Sequence, residues 1–520
     1  GYGELTVGNF DRYRGIAAVN LGGENVALRI AGIHDERDSF TRNIAANAQS
    51  QPGNMNLDAV RANLRLRGMD GRLNINVRGE YFDMRSDNNA VKNRNDVVST
   101  DPFVIQEDAL SFQNQEGYRI SGEVRYDLSD TVQARGILSW QDGTTDDQTD
   151  GDRTATARAV PANLPPNAAN TRTFPGRVSN GKTRFETLIG EFNLLSTGTG
   201  PLQWVVGGFV LDESIPVTLL RDNRNTLDIR QSNSSIITDA KNTSQSLFGQ
   251  INYFATDAIE LIVGGRYSWD KQVYTRIAVP GAGFTLPFTS QATSQQLTGK
   301  LGVNYHVDDG NMLYLTASKG YKAGGVNLTP NTPNFLPERN FVYELGFKSE
   351  LLDRHLRVNG DVFYSDYKDI QLSSLVGGLP VTQNALAGTS WGGELEVTAQ
   401  FGGFSANIGL GYLDAKFANS ACISDTNAPG TDAGCPTNLR FVPKDRVLPF
   451  SPDWTINAGM QYTFALGDVE ITPRVQWSHL SEQFATPFPS VNTLVPGRDI
   501  FDARLTLDIS RSYKIEAFVN

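Results

Sequence analysis

The connections in this sequence alternate between short and long over almost its whole length, and few chain arrangements produce that rhythm. Tight polar turns are predicted at 22–25, 68–71, 128–131, 196–201, 255–259, 306–311, 350–355, 400–403, 465–469 and 510–513. Long excursions lie between them, at 36–56, 86–114, 143–182, 213–242, 271–295, 321–338, 370–384, 417–450 and 483–497. A meander with its tight turns at one end and its long loops at the other is the layout of a membrane-spanning antiparallel β-barrel. A soluble sandwich has no reason to sort its loops this way.

The faces of the strands agree. Between 72 and 82, Leu73, Ile75, Val77 and Tyr81 fall on one side, and Arg72, Asn74, Asn76, Arg78 and Glu80 on the other. The same period of two runs through 119–127 and 469–477, and through 454–464, where Trp454, Ile456, Ala458, Met460, Tyr462 and Phe464 oppose Thr455, Asn457, Gly459, Gln461 and Thr463. Alternation alone also fits a half-solvated soluble sheet. Strand length argues against that reading, because 183–195, 243–255, 354–368 and 386–400 exceed both the ~5–6 residues of soluble strands and the ~9–11 needed to cross a bilayer.

A helical membrane protein is excluded, since no stretch approaches the ~18 consecutive apolar residues of a spanning helix. Barrels escape hydropathy scans because only alternate residues face lipid. No linker or composition break divides the 520 residues, so one domain is expected over 1–520. A formal charge of −11 argues against a nucleic-acid partner, which would need a basic surface. The acidic run "DGTTDDQTDGD" at 142–152 reads as a solvated loop or a calcium site without EF-hand spacing. Cys422 and Cys435 share one long loop with no His nearby, which favours a loop-stapling disulfide in an exported chain over a zinc site.

About twenty-one strands are read. Closed single-chain bacterial barrels have even counts and lipid tolerates no open sheet edge, so a closing strand is expected beyond Asn520. "GYGELTVGNF" already reads as strand and carries no leader, so the sequence is expected to be an internal piece of a longer precursor.

The stretch "MLYLTASKGYKAGGVNLTPNTPNFLPERNFVYELGFKSELLDRHLRVNGDVFYSDYKDIQ", Met312 to Gln371, resembles the characteristic region of TonB-dependent outer-membrane receptors. It has a strand ending in Ser-Lys-Gly-Tyr-Lys, a loop closing on Pro-Glu, a Tyr-Glu-Leu-Gly-Phe-Lys strand, a tight turn and a long aromatic strand. The opening "GYGELTVGNFDRYRGIAAVNLGGENVALRIAG" resembles the first barrel strands of that family, and "YKIEAFVN" its penultimate strand.

The resemblance implies a 22-stranded barrel with an N-terminal plug that is absent here, set in the outer membrane of a Gram-negative bacterium. It implies active uptake of a scarce, large nutrient: a ferric siderophore first, with cobalamin, haem or oligosaccharide as alternatives. The implied partners are outer-membrane lipid and lipopolysaccharide, the TonB complex acting through the plug, and the extracellular ligand, with no cofactor. A passive porin is the rival reading. Catalysis is not expected, because His34, His306, His355 and His479 are accompanied by no Ser or Cys motif.

Candidate ligand contacts are Arg221, Arg224, Tyr274, Tyr321, Lys322, Phe335 and Arg339, each open to a plain loop role as well. Gly324 and Gly325 read as loop formers or as points of close ligand approach. Trp140, Trp204, Trp269, Trp391, Trp454 and Trp477 read as interfacial girdle residues, packing residues or ligand platforms.

Overall fold

The computed structural model describes residues 1–45, 48–93, 98–150, 153, 178–222, 233–278, 286–328, 332–376, 379–424, 430–437, 439–491, 493–510 and 512–519. They form two compact units, both built from antiparallel strands.

The first unit holds residues 1–198, 206–247 and 269–293. Its strands Tyr2–Gly8, Arg12–Gly22, Val26–Arg37, Met55–Gly68, Leu73–Ser86, Phe112–Ser129, Val132–Asp150 and Val178–Ser196 each pair antiparallel with the next. Val217–Asp222 then pairs with both Val178–Thr183 and Asn233–Thr238. The second unit, residues 199–205, 248–268 and 294–520, continues the meander. Of the strands within it or entering it, Phe288–His306, Asn311–Lys322, Glu338–Leu351, Leu356–Val376, Leu379–Phe401, Phe404–Phe417, Trp454–Tyr462, Val469–Leu480, Arg498–Ile509 and Tyr513–Val519 pair in sequence.

All ten predicted tight turns fall between consecutive strands. One shows how sequence sets them. At 306–311, the Asp308 carboxylate accepts from the Gly310 N–H at 2.8 Å and from Asn311 Nδ2 at 2.7 Å. These donors hold its carboxyl below the ordinary carboxylate range.

The long excursions are shorter than expected, because strands run on into them. Asn233–Thr256 has 24 residues, and Leu356–Val376 and Leu379–Phe401 have 21 and 23. The 370–384 excursion is therefore largely a hairpin extension. Among the described residues the sheet pairing involves 23 strands, where about twenty-one are expected from sequence. The two additions are Val217–Asp222, inside an expected excursion, and Phe464–Leu466, split from its predecessor at Thr463.

One face of the second unit carries large apolar side chains that the protein leaves uncovered. Val303, Leu315, Leu345 and Val362 stand side by side across four strands, and Leu315 and Leu345 are each 55% exposed. Toward the long-loop end the same face turns aromatic: Tyr343, Tyr364 and Trp391 are register neighbours. Tyr412 follows, its ring 5.5 Å from Trp391 and 4.9 Å from Trp454. Toward the short turns lie Phe401, Phe404, Tyr462 and Phe464, all exposed. Trp391 and Phe401 are ten residues apart on one strand. At ~3.3 Å per residue and ~40° of tilt that is roughly 25 Å, the height of the apolar band between two aromatic girdles.

The opposite face is polar. In the second unit Tyr314 Oη donates to Glu344 at 2.6 Å; in the first, Arg61 pairs with Glu80, its register partner, and Glu123 accepts from Arg135 at 2.6 Å and Arg125 at 2.9 Å. Exposed pairs of this kind contribute about 0–1 kcal/mol each, so they mark the wetted face rather than stabilise it. Adjacent residues on opposite faces give a direct test. Leu315→Arg is expected to cost about 2 kcal/mol in urea titrations of the vesicle-folded protein. Thr316→Arg, facing Glu344 across the strand pair, is expected to cost under about 1 kcal/mol. Equal losses would put both faces in one medium.

Candidate ligand-binding site at the long-loop end

Beyond the upper aromatic row of the second unit, buried apolar side chains gather. Ile370, Leu386, Phe417, Ile423 and Val442 form a cluster, with Phe417 and Val442 wholly buried, and Tyr367, Leu372, Leu448 and Phe488 packed around it. With Phe488 it draws on the excursions 370–384, 417–450 and 483–497, so these loops are folded together into one body. A disulfide joins Cys422 to Cys435 within it. Beside the cluster lies a cavity of about 240 Å³ lined by Leu372, Gln383, Ile423, Phe450 and Phe488. The Arg440 guanidinium stands 5.9 Å from the centre of the Phe488 ring, and Arg440 Nε donates to Asp432 at 3.0 Å.

Next to this body the Lys322–Glu338 connection folds back on itself. Gly325 and Phe335 exchange two backbone hydrogen bonds of 3.0 Å. A Cβ at Gly324 would stand 2.5 Å from the Phe335 carbonyl oxygen, so glycine is required there by the chain's own approach. Three amides tie the fold-back down. Asn327, 4% exposed, donates to the Pro333 and Thr382 carbonyls at 2.7 and 2.9 Å and accepts from the Thr382 N–H at 2.9 Å. Gln371 donates to the Ala323 and Leu336 carbonyls, and Asn384 to the Leu336 and Asp369 carbonyls.

Four of the candidate contacts meet on this hairpin. Tyr321 faces Arg339 and Lys322 faces Glu338 in register, with Phe335 at the bridge. Arg339 is paired with Asp369, and Glu338 accepts the Gln371 N–H at 2.8 Å. Tyr274 is half-buried in Ile259–Ala278 and belongs to the first unit. Arg221 pairs through its backbone with Ser179 and Ser234, and Arg224 lies outside the described residues. The apolar cluster escaped the sequence reading because its members are scattered singly among polar loops. Large apolar residues such as Phe417 and Val442 inside loops were the available signal.

The acidic run is a strand up to Asp150, not a loop, and residues 151–152 lie outside the described residues. Two of its carboxylates have protein partners. Asp142 takes Arg184 at 2.6 Å, and buried Asp150 accepts the Asp108 N–H at 3.0 Å and the Arg153 N–H at 2.9 Å. Among the described residues no group of His, Cys, Asp or Glu is arranged to hold a metal ion. Asp147 fills the space over Gly181. Burial, then the neighbouring Asp146, holds its carboxyl above the ordinary carboxylate range.

Two expectations follow from this geometry. Asn327→Ala strands several buried backbone groups, at about 1–3 kcal/mol each. It should therefore speed hydrogen exchange and proteolysis at Lys322–Glu338 while leaving the spanning strands protected. A raised folded-state pKa at Asp147 means that its contribution is fully favourable below the unfolded pKa and is lost as pH rises through the folded one. Asp147→Asn should thus raise the melting temperature near pH 7 and leave it unchanged near pH 3; a gain of the same size at both would refute the burial account.

The family model described as TonB dependent receptor-like, beta-barrel matches residues 56–520. The pesticin receptor of Yersinia enterocolitica is 29% identical over 181 residues, which take in 34% of this chain and 26% of that receptor. The chain thus aligns with about a quarter of that relative's length. The ferric yersiniabactin uptake receptor FyuA from Yersinia pestis superposes with a TM-score of 0.77 at 17% identity, covering 99% of this chain and 73% of that one. The siderophore receptor PiuA from Acinetobacter baumannii gives 0.75 at 14% identity, covering 100% and 76%. The fold is therefore shared with these structures.

Proposed function

This chain belongs to the TonB-dependent receptor-like β-barrel family, and from that premise we propose that it is the barrel of an outer-membrane transporter that takes up a ferric siderophore with energy delivered through TonB. The family match over 56–520 carries the reading, and the siderophore receptors that share the fold favour that substrate class. The long-loop end is the extracellular side, and the tight turns such as 306–311 are periplasmic.

The loop-end body suits capture of such a ligand. Ferric siderophore complexes present oxygen-rich, often anionic or aromatic surfaces. The rim offers Lys322, Arg339, Tyr321 and Phe335 on one hairpin, and Arg440 beside Phe488 at the apolar cavity. A rigid body rather than loose loops lowers the ordering cost of binding. Because a barrel of about 22 strands encloses more lumen than its side chains fill, the reading includes a plug that responds to TonB and opens the path along the polar face.

In cells lacking the whole receptor, the full-length gene is expected to restore accumulation of a ferric siderophore, and inactivation of TonB should abolish that accumulation. Uptake that persists without TonB would leave passive diffusion as the function. Lys322→Ala is expected to weaken ferric siderophore binding about tenfold, equivalent to ~1.4 kcal/mol, with the melting temperature unchanged.

A further inference from the structure

The apolar face of the second unit is interrupted by a groove. Three adjacent strands place Gly265, Gly299 and Ala317 where their neighbours carry larger side chains, which opens a cavity of about 430 Å³. Leu297, Leu301 and Tyr343 form its walls, and all three are more than half exposed. The small residues are not interchangeable. A Cβ at Gly299 would stand 2.8 Å from the Gly264 carbonyl oxygen, so strand contact requires that glycine. At Gly265 the nearest atom would be 4.0 Å away, so among the described residues no steric contact requires glycine there.

The groove's upper end is charged. Phe341, one outward step above Tyr343 in the aromatic row, has two ammonium groups against its ring. Lys319 Nζ lies 5.8 Å from its centroid and Lys368 Nζ 5.5 Å. Lys368 shares Asp366 at 3.5 Å, whereas Lys319 has no carboxylate partner among the described residues. Lys300 also lines the cavity, from the intervening strand, while Arg339 and Lys416 are committed to Asp369 and Asp414. The result is an apolar slot in the hydrocarbon band that ends in net positive charge at the height of lipid phosphates. Cations at such a surface favour an anionic headgroup.

We propose that this groove binds one molecule of lipopolysaccharide, with an acyl chain lying over Gly265 and Ala317 and a phosphate held between Lys319 and Lys368. The site depends on the membrane-facing geometry and not on which nutrient is taken up, so it stands or falls separately from the transport reading.

Native mass spectrometry of the protein extracted in mild detergent, with lipid A and its dephosphorylated form as probes, tests it. The parent should retain one phosphorylated lipid A. Lys319→Gln combined with Lys368→Gln should lower that retention about tenfold. Gly265→Leu, or Ala317→Leu should the first fold poorly, should do the same by filling the slot. Melting temperatures without added lipid should match the parent, and ferric siderophore binding should be untouched. Equal retention of the phosphorylated and dephosphorylated probes, undiminished retention in the double glutamine variant, or equal competition by phosphatidylglycerol would overturn the assignment.

Discussion

Inter-strand hydrogen bonding in a medium without water is the constraint on which the rest depends. Hydrocarbon offers no partner to a backbone N–H or C=O, so each spanning segment must satisfy its neighbours completely. Long ladders in unbroken register, such as the twelve pairs between Asn311–Lys322 and Glu338–Leu351, are the direct consequence. Register also fixes the faces. A one-residue slip would send Leu315 and Leu345 into water and Thr316 and Glu344 into lipid. The exposed leucines that would be a liability in a soluble protein are here the surface that selects the register.

Once that band is set, everything else is measured from it. Ile370 lies six residues beyond Tyr364 on the same strand, or roughly 15 Å above the aromatic row at the usual rise and tilt. There the second unit buries apolar side chains against one another, in the cluster around Phe417 and Val442. The division is physical. Within the bilayer lipid covers the greasy side chains, so no internal apolar core is needed. Above it water returns, and the loops must build their own small core and satisfy their own carbonyls through Asn327, Gln371 and Asn384.

That division also explains what could be read from sequence. The spanning strands were legible because lipid on one side and water on the other write a period of two into every segment, and Asp, Gly and Asn mark the turns. Strand ends were not legible. Residues 233–242 and 271–278 continue their strands above the membrane, where both faces are wet and the alternation that signals a strand disappears. The acidic run at 142–150 looked like a loop for the same reason, since carboxylates are welcome on either face of a strand standing in water.

The loop-end site was half visible. Tyr321, Lys322, Phe335 and Arg339 lie within a short span around one hairpin, so closeness in sequence became closeness in space. The apolar cavity draws on Leu372, Ile423, Phe450 and Phe488, four distant points whose meeting depends on how three excursions fold. No local pattern encodes that meeting. The same limit applies to Lys319 and Lys368, which share the Phe341 ring from strands on either side of it. Cross-strand register, invisible in the sequence and explicit in the structure, turns two ordinary lysines into a paired charge at the edge of the hydrocarbon.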